Sequence, residues 1–137
     1  AVLDKYPALP GQPESLGIPT WHYGHEPPTA FATHIAKYFA NSVREDGLLE
    51  IATQGVVYAP GSAGTVQEIF QDAAQNHYES VGFPSPMLFL GVHFWTQEYP
   101  VLPLLTALAQ GRRYQSLISA TDQIEEVVNT LLGFSPR

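Results

Sequence analysis

Short apolar runs alternate with helical stretches along most of the chain, and that alternation restricts the fold more than any other feature of the sequence. "GVVYA" at 55–59 is a brief apolar run bounded by glycine and proline, the pattern of a strand buried on both faces. The stretch 65–78 comes next with Val66, Ile69, Phe70, Ala73 and His77 on one helical face, and "GFPSP" closes it. "MLFLG" is a second buried strand. "EYPVLPLLTALAQG" reads as a helix entered through prolines and stopped by Gly111, and "YQSLISA" as a further strand. "TDQIEEVVNTLLG" is a last helix, capped by Thr121 or Asp122. The pattern predicts an α/β fold, a parallel sheet covered by helices, with any ligand outside the carboxyl ends of the strands.

The amino-terminal part is less regular. Residues 1–15 hold three prolines and no apolar period, which predicts an extended lead-in segment, with residues 16–137 forming the folded domain. "LGIPTW" is a short candidate strand and "HYGHEPP" a polar turn. Phe31, Ile35, Tyr38, Phe39 and Ser42 then keep helical spacing, predicting an amphipathic helix over about 29–42. "REDG" is expected to interrupt it before a second helical piece, "LLEIAT".

The 137 residues are 45% hydrophobic and 14% charged, so the chain can build one core and is not a solvated tail. Its formal charge of -7 and scattered cations exclude the basic stripe that polymeric nucleic acid requires. The absence of cysteine removes disulfides and thiolate metal sites and agrees with a cytoplasmic location. No apolar run approaches the roughly 20 residues of a membrane helix.

"PGSAGTVQE" sits where a buried strand gives way to a helix. Gly61, Ser62 and Gly64 let the backbone come close to a ligand, and the amides and dipole of the helix start attract an anion such as phosphate. Backbone amides can thus replace the scarce cations. Thr65 and Glu68 also read as a Thr-x-x-Glu capping box, and spacing alone leaves both readings open. The turn matches neither the Walker pattern nor the GxGxxG fingerprint.

This stretch resembles the PGGxGTxxE motif of the LONELY GUY (LOG) family: Pro60, Gly61, Gly64, Thr65 and Glu68 match, and Ser62 replaces the second glycine. The resemblance runs from about residue 17 to 132, through "GVVYAPGSAGT", "MLFLG", "HFW" and the closing helix. It implies a Rossmann-like parallel sheet with helices on both faces, lacking the family's amino-terminal strands, so that a complementary amino-terminal portion is expected. It further implies a phosphoribohydrolase that cleaves the N-glycosidic bond of a nucleoside 5'-monophosphate, with water as second substrate and no cofactor. By the same resemblance Glu68 acts near the ribose, Gly61, Ser62, Gly64 and Thr65 bind the phosphate, and Arg44 is the arginine on the preceding helix. A homodimer is expected on the same ground. Chemically, a carboxylate can stabilise an oxocarbenium-like centre and an arginine can fork onto phosphate or ribose oxygens. The alternative for Arg44 is an exposed partner of Glu45 or Asp46. The alternatives for the protein are a nucleotide sensor that cuts no bond and a structural piece whose capping box only caps.

Other residues carry less. His22, His25 and Glu26 lack the spacing of a helical metal site, which leaves a loop in which Tyr23 or a histidine contacts a base or ribose. His34 and His77 read as structural. Phe94, Trp95 and Tyr99 are core or a partner-facing surface. No GxSxG elbow or pyridoxal phosphate lysine is present.

Overall fold

The computed structural model describes residues 2–7, 10–11, 13–21 and 27–136, in two compact units, 1–47 and 48–137. Among these residues no helix is long and apolar enough to cross a membrane.

The first unit opens with one helical turn, α1 (Val2–Lys5), inside the segment expected to be extended. Strands β1 (Leu16–Gly17) and β2 (His34–Ile35) pair in parallel, and Thr20 bridges to Tyr38. Here the expected helix over 29–42 is not formed. Its apolar positions Phe31, Ile35, Tyr38 and Phe39 are all exposed, so a helical stripe would have no core to face. Ser15 instead holds the segment extended: its N–H donates to Thr33 Oγ1 at 2.8 Å, its Oγ donates to the Phe31 carbonyl at 2.7 Å, and its carbonyl accepts from Thr33 N–H at 2.9 Å. The helix begins later, as α2 (Asn41–Ile51), which runs through "REDG". Gly47 costs this helix about 1 kcal/mol. The bonds from Asn41 to Glu45 and from Arg44 to Asn41, at spacings of four and three, offset that cost.

The second unit keeps the predicted alternation, except that the strand expected over 114–120 forms only from Ile118, its first four residues belonging to a 3-10 segment. Strand β3 (Val56–Tyr58) leads into α3 (Ala63–Tyr78), β4 (Met87–Leu90), a π-helix (Phe94–Glu98), α4 (Val101–Ala109), a 3-10 segment (Arg113–Leu117), β5 (Ile118–Thr121) and α5 (Ile124–Gly133). The sheet is parallel in the order β3-β4-β5, with Val56 opposite Met87 and Met87 opposite Ile118. Alternation along β4 divides the two faces. Met87 and Phe89 join Ile69 and Ala73 of α3 and Leu102 and Leu105 of α4 in one buried cluster. Leu88 faces the other way and lines a cavity with Val127 of α5. Helices therefore cover both faces, and this unit is α/β.

The last helix is fastened at both ends. Its N-cap is Gln123, which makes no side-chain capping bond, so neither Thr121 nor Asp122 caps the helix as expected: Thr121 Oγ1 accepts from Gln123 N–H at 3.0 Å and donates to the Glu126 carboxylate in the first turn, and Asp122 Oδ1 accepts from Val92 N–H at 2.9 Å in the loop after β4. At the far end the Gln54 amide donates to the carbonyls of Leu131 and Phe134, two of the acceptors that a helix terminus leaves unmet.

Candidate functional site

The turn between β3 and α3 is positioned from behind by β4. Gly91, just past that strand, has φ of +100°, and a Cβ there would lie 3.3 Å from Pro60 Cγ. The indole Nε1–H of Trp95 is shared between the carbonyls of Tyr58, at 3.2 Å, and Leu90, at 3.1 Å. It thereby joins the carboxyl ends of the two strands where the turn departs.

Helix α3 starts at Ala63, two residues before the expected cap. Ser62 is the N-cap, its carbonyl accepts Val66 N–H at 3.0 Å, and its side chain makes no capping bond. Thr65 is consequently inside the first turn, and the Thr65-Glu68 capping box is not formed. The capping residue offers no side-chain acceptor to the first-turn amides, which is the arrangement an external anion can complete.

The two motif glycines differ in what they do. A Cβ at Gly61 would fall 2.2 Å from Thr65 Oγ1 and 2.8 Å from Thr65 Cβ, so Gly61 is required by the close approach of the turn to the threonine. Among the described residues Gly64 has no heavy atom within 4 Å of such a Cβ, and its φ is not in the left-handed region. The fold itself therefore does not require glycine at 64. Gly64→Ala is expected to keep or raise thermal stability, by up to about 1 kcal/mol, because alanine is the better helix residue. It is expected to weaken binding of inorganic phosphate at least tenfold by titration calorimetry, whereas Gly61→Ala loses about 1–3 kcal/mol through the forced shift of Thr65. Unchanged phosphate affinity in Gly64→Ala would remove this turn as the anion site.

Glu68 stands half-buried in the second turn of α3. One turn further lies a feature that apolar periodicity does not announce, a buried polar chain. The Tyr58 hydroxyl donates to Asp72 Oδ2 at 2.7 Å, Asn76 Nδ2 donates to Asp72 Oδ1 at 3.0 Å, and Ser85 N–H donates to Asn76 Oδ1 at 2.7 Å. Burial pushes the Asp72 carboxyl up to about 6, against the opposing pull of the Tyr58 hydrogen bond. Burial, with smaller contributions from the charge and hydrogen bond of Asp72 and the charge of Glu68, drives the Tyr58 hydroxyl far above the ordinary tyrosine range. Glu68 is thus within electrostatic reach of Tyr58. The signal for this chain in the sequence is the spacing of Glu68, Asp72 and Asn76, each four residues apart on one helix.

Arg44 belongs to the first unit, and the turn and Glu68 to the second. As expected, Arg44 is on the helix that precedes β3. It is not an exposed partner of Glu45: the side chains are 14% and 1% exposed, with Nη2 3.9 Å from Glu45 Oε1. Arg44 Nε donates to Asn41 Oδ1 and Nη1 to the Ile18 carbonyl, both at 3.0 Å. The guanidinium is therefore held by groups on two segments of its own unit. His22, Tyr23, His25 and Glu26 lie outside the described residues. His34 is exposed on β2, 3.5 Å from Glu14, and the His77 ring centroid is 6.1 Å from that of buried Tyr114. Trp95 is core, and Tyr99 stacks on Phe94 at 5.0 Å.

Two cavities of the second unit lie away from the turn. One of about 310 Å³ is bounded by Ser119, Thr121, Glu126 and Thr130, and one of about 230 Å³ by Pro84, Arg113, Ser116 and Phe134. The chemistry available at the turn is that of a helix start open to an anion, with a carboxylate one turn along the same helix. Comparison with protein-family profiles and with characterised proteins gives no match for this chain.

Proposed function

We propose that the protein is a Rossmann-like phosphoribohydrolase that cleaves the N-glycosidic bond of a nucleoside 5'-monophosphate to free base and ribose 5-phosphate. The observation that carries this reading is the placement of Glu68 one turn along α3 from an uncapped first turn at which Gly64 leaves open space. Four residues of helix, from Gly64 to Glu68, advance about 6 Å along the axis, close to the reach of a ribose from its phosphate to its anomeric carbon. Phosphate on the amides of Gly64 and Thr65 then puts the anomeric carbon beside the carboxylate.

In the reaction the C1'–N bond breaks with its electron pair on the base nitrogen, which is protonated as the base leaves, while a water oxygen bonds to C1' and gives up a proton. Glu68 stabilises the positive charge that develops on the sugar and orients the water. The resemblance of the motif adds Arg44 as a second participant, forking onto phosphate or ribose oxygens.

Chromatography of a nucleoside 5'-monophosphate panel after incubation with the protein tests the reading. Free base is expected from the unaltered chain, with release falling at least a hundredfold in Glu68→Ala at unchanged folding. Arg44→Lys, which keeps the charge and loses the fork, reads the arginine in the same assay. A folded protein that binds nucleotide and returns it intact would replace hydrolysis with a sensor function.

A further inference from the structure

Helix α4 is apolar almost all the way round, the composition of a helix that is covered on every side. Val101, Leu102, Leu105 and Ala109 turn inward to the buried cluster. The opposite arc is uncovered: Pro103 and Ala107 are exposed, and Leu104 and Leu108 are 54% and 47% exposed. These four form two adjacent ridges of spacing four, 103–107 and 104–108, with the small Ala107 beside the leucines, a surface into which a ridge of another helix can set. Charge decides which helix that is. Among the described α-helices α4 alone carries no charged side chain, in a chain of formal charge -7, so two copies meet here without repulsion. Its flanks carry opposite signs: exposed Glu98, 3.6 Å from His93, precedes the helix, and exposed Arg112 follows it. Antiparallel copies therefore bring unlike charges together at both ends. Helix α5 offers a comparable stripe in Ile124, Val128 and Leu132, but its only charged side chains, Glu125 and Glu126, find no cation on a second copy of that helix.

We propose that two copies of this chain associate through the exposed arcs of α4, antiparallel about a two-fold axis, with Glu98 of each copy set against the partner's Arg112. The motif's resemblance implies a homodimer and names no surface; this surface rests on α4 and its flanks alone, and not on the reaction given to Glu68. In such a self-complementary contact each side chain is used twice. A helix of nine residues presents less than the roughly 800 Å² per partner of a standard interface, so the association is weak, with a dissociation constant on the order of 10 μM.

Sedimentation equilibrium over a concentration range spanning that value tests the pairing, with far-ultraviolet circular dichroism confirming that each variant is folded. The unaltered chain is expected to pass from monomer to dimer. Leu104→Glu, at an exposed position, raises the dissociation constant at least about a hundredfold, since it sets two carboxylates in an apolar contact. Val128→Glu on α5 leaves it unchanged. Glu98→Arg and Arg112→Glu each weaken association by roughly tenfold, and the double variant recovers it because the two charges have exchanged places. A chain that stays monomeric throughout overturns the proposal. So does a dimer that survives Leu104→Glu, one that is lost in Val128→Glu, or a pair of charge reversals that fail to rescue each other.

Discussion

Replacing Trp95 by alanine is expected to cost the second unit about 3–5 kcal/mol, a large share of the stability of a domain this size. The indole is fully buried, meets Phe89 edge-on at 5.6 Å and Phe94 at 4.8 Å, and no small side chain can fill the space it leaves. Its Nε1–H is also the donor shared by the carbonyls of Tyr58 and Leu90. Deletion therefore adds an unmet polar contact to a cavity. Urea unfolding monitored by far-ultraviolet circular dichroism measures the loss. Trp95→Phe separates the two contributions: it restores most of the packing and none of the hydrogen bonding, and is expected to fall between alanine and the native residue. A loss under about 1 kcal/mol in the alanine variant would mean that the indole does not join the two strands.

The second large effect is a dependence of stability on pH that traces to Asp72. Its carboxyl is raised from 3.8 to about 6 on folding, so the folded chain keeps this proton where the unfolded chain has already lost it. The stabilising contribution is full below pH 3.8, declines as pH rises toward 6, and is gone above that value. Across this window the shift is worth about 3 kcal/mol. Other carboxyl groups titrate in the same range, and the difference between the native protein and Asp72→Asn isolates this one. The variant is expected to lose the declining limb. At neutral pH it removes a buried charge but gives up one acceptor, since an asparagine cannot accept from both Tyr58 and Asn76, so its net change there is small. Parallel stability curves for the two proteins between pH 4 and 7 would refute the assignment.

How far the sequence discloses the structure depends on whether a segment has a core to face. Strands β3 and β4 and helices α3 and α5 obey their apolar patterns, and in β3, β4 and α3 those patterns meet in one buried cluster. The stretch 29–42 carries a helical period just as clear, yet Phe31, Ile35 and Phe39 stay exposed and Ser15 supplies side-chain and backbone bonds to an extended strand instead. Periodicity records which face is apolar, not whether anything covers it. At the site, Gly61, Ser62, Gly64, Thr65 and Glu68 are legible as one stretch and do gather at the head of one helix. The capping box fails because the helix starts at Ala63, a difference of two residues that changes which side chain flanks the open amides. Asp72 is only half legible: its four-residue spacing from Glu68 and Asn76 places the three on one helix face, but acidic residues on a helix usually point to solvent, and only Tyr58, fourteen positions earlier, reveals that Asp72 is held inside.

The π-helix after β4 sets a different kind of constraint on the chain, one of length rather than of chemistry. Its wider turn, closed by the bond from Tyr99 N–H to the Phe94 carbonyl at 2.8 Å, takes up one residue more than an α-helical turn between Trp95 and the start of α4. Tyr99 and Pro100 then leave the helical path before α4 begins at Val101. Loss of one position among Gln97 and Glu98 would shorten the connection by which Leu102 and Leu105 reach the buried cluster, although both of those positions are exposed and stand outside it. For the buried cluster, the identities of the residues in such a segment are free to drift while their number is not.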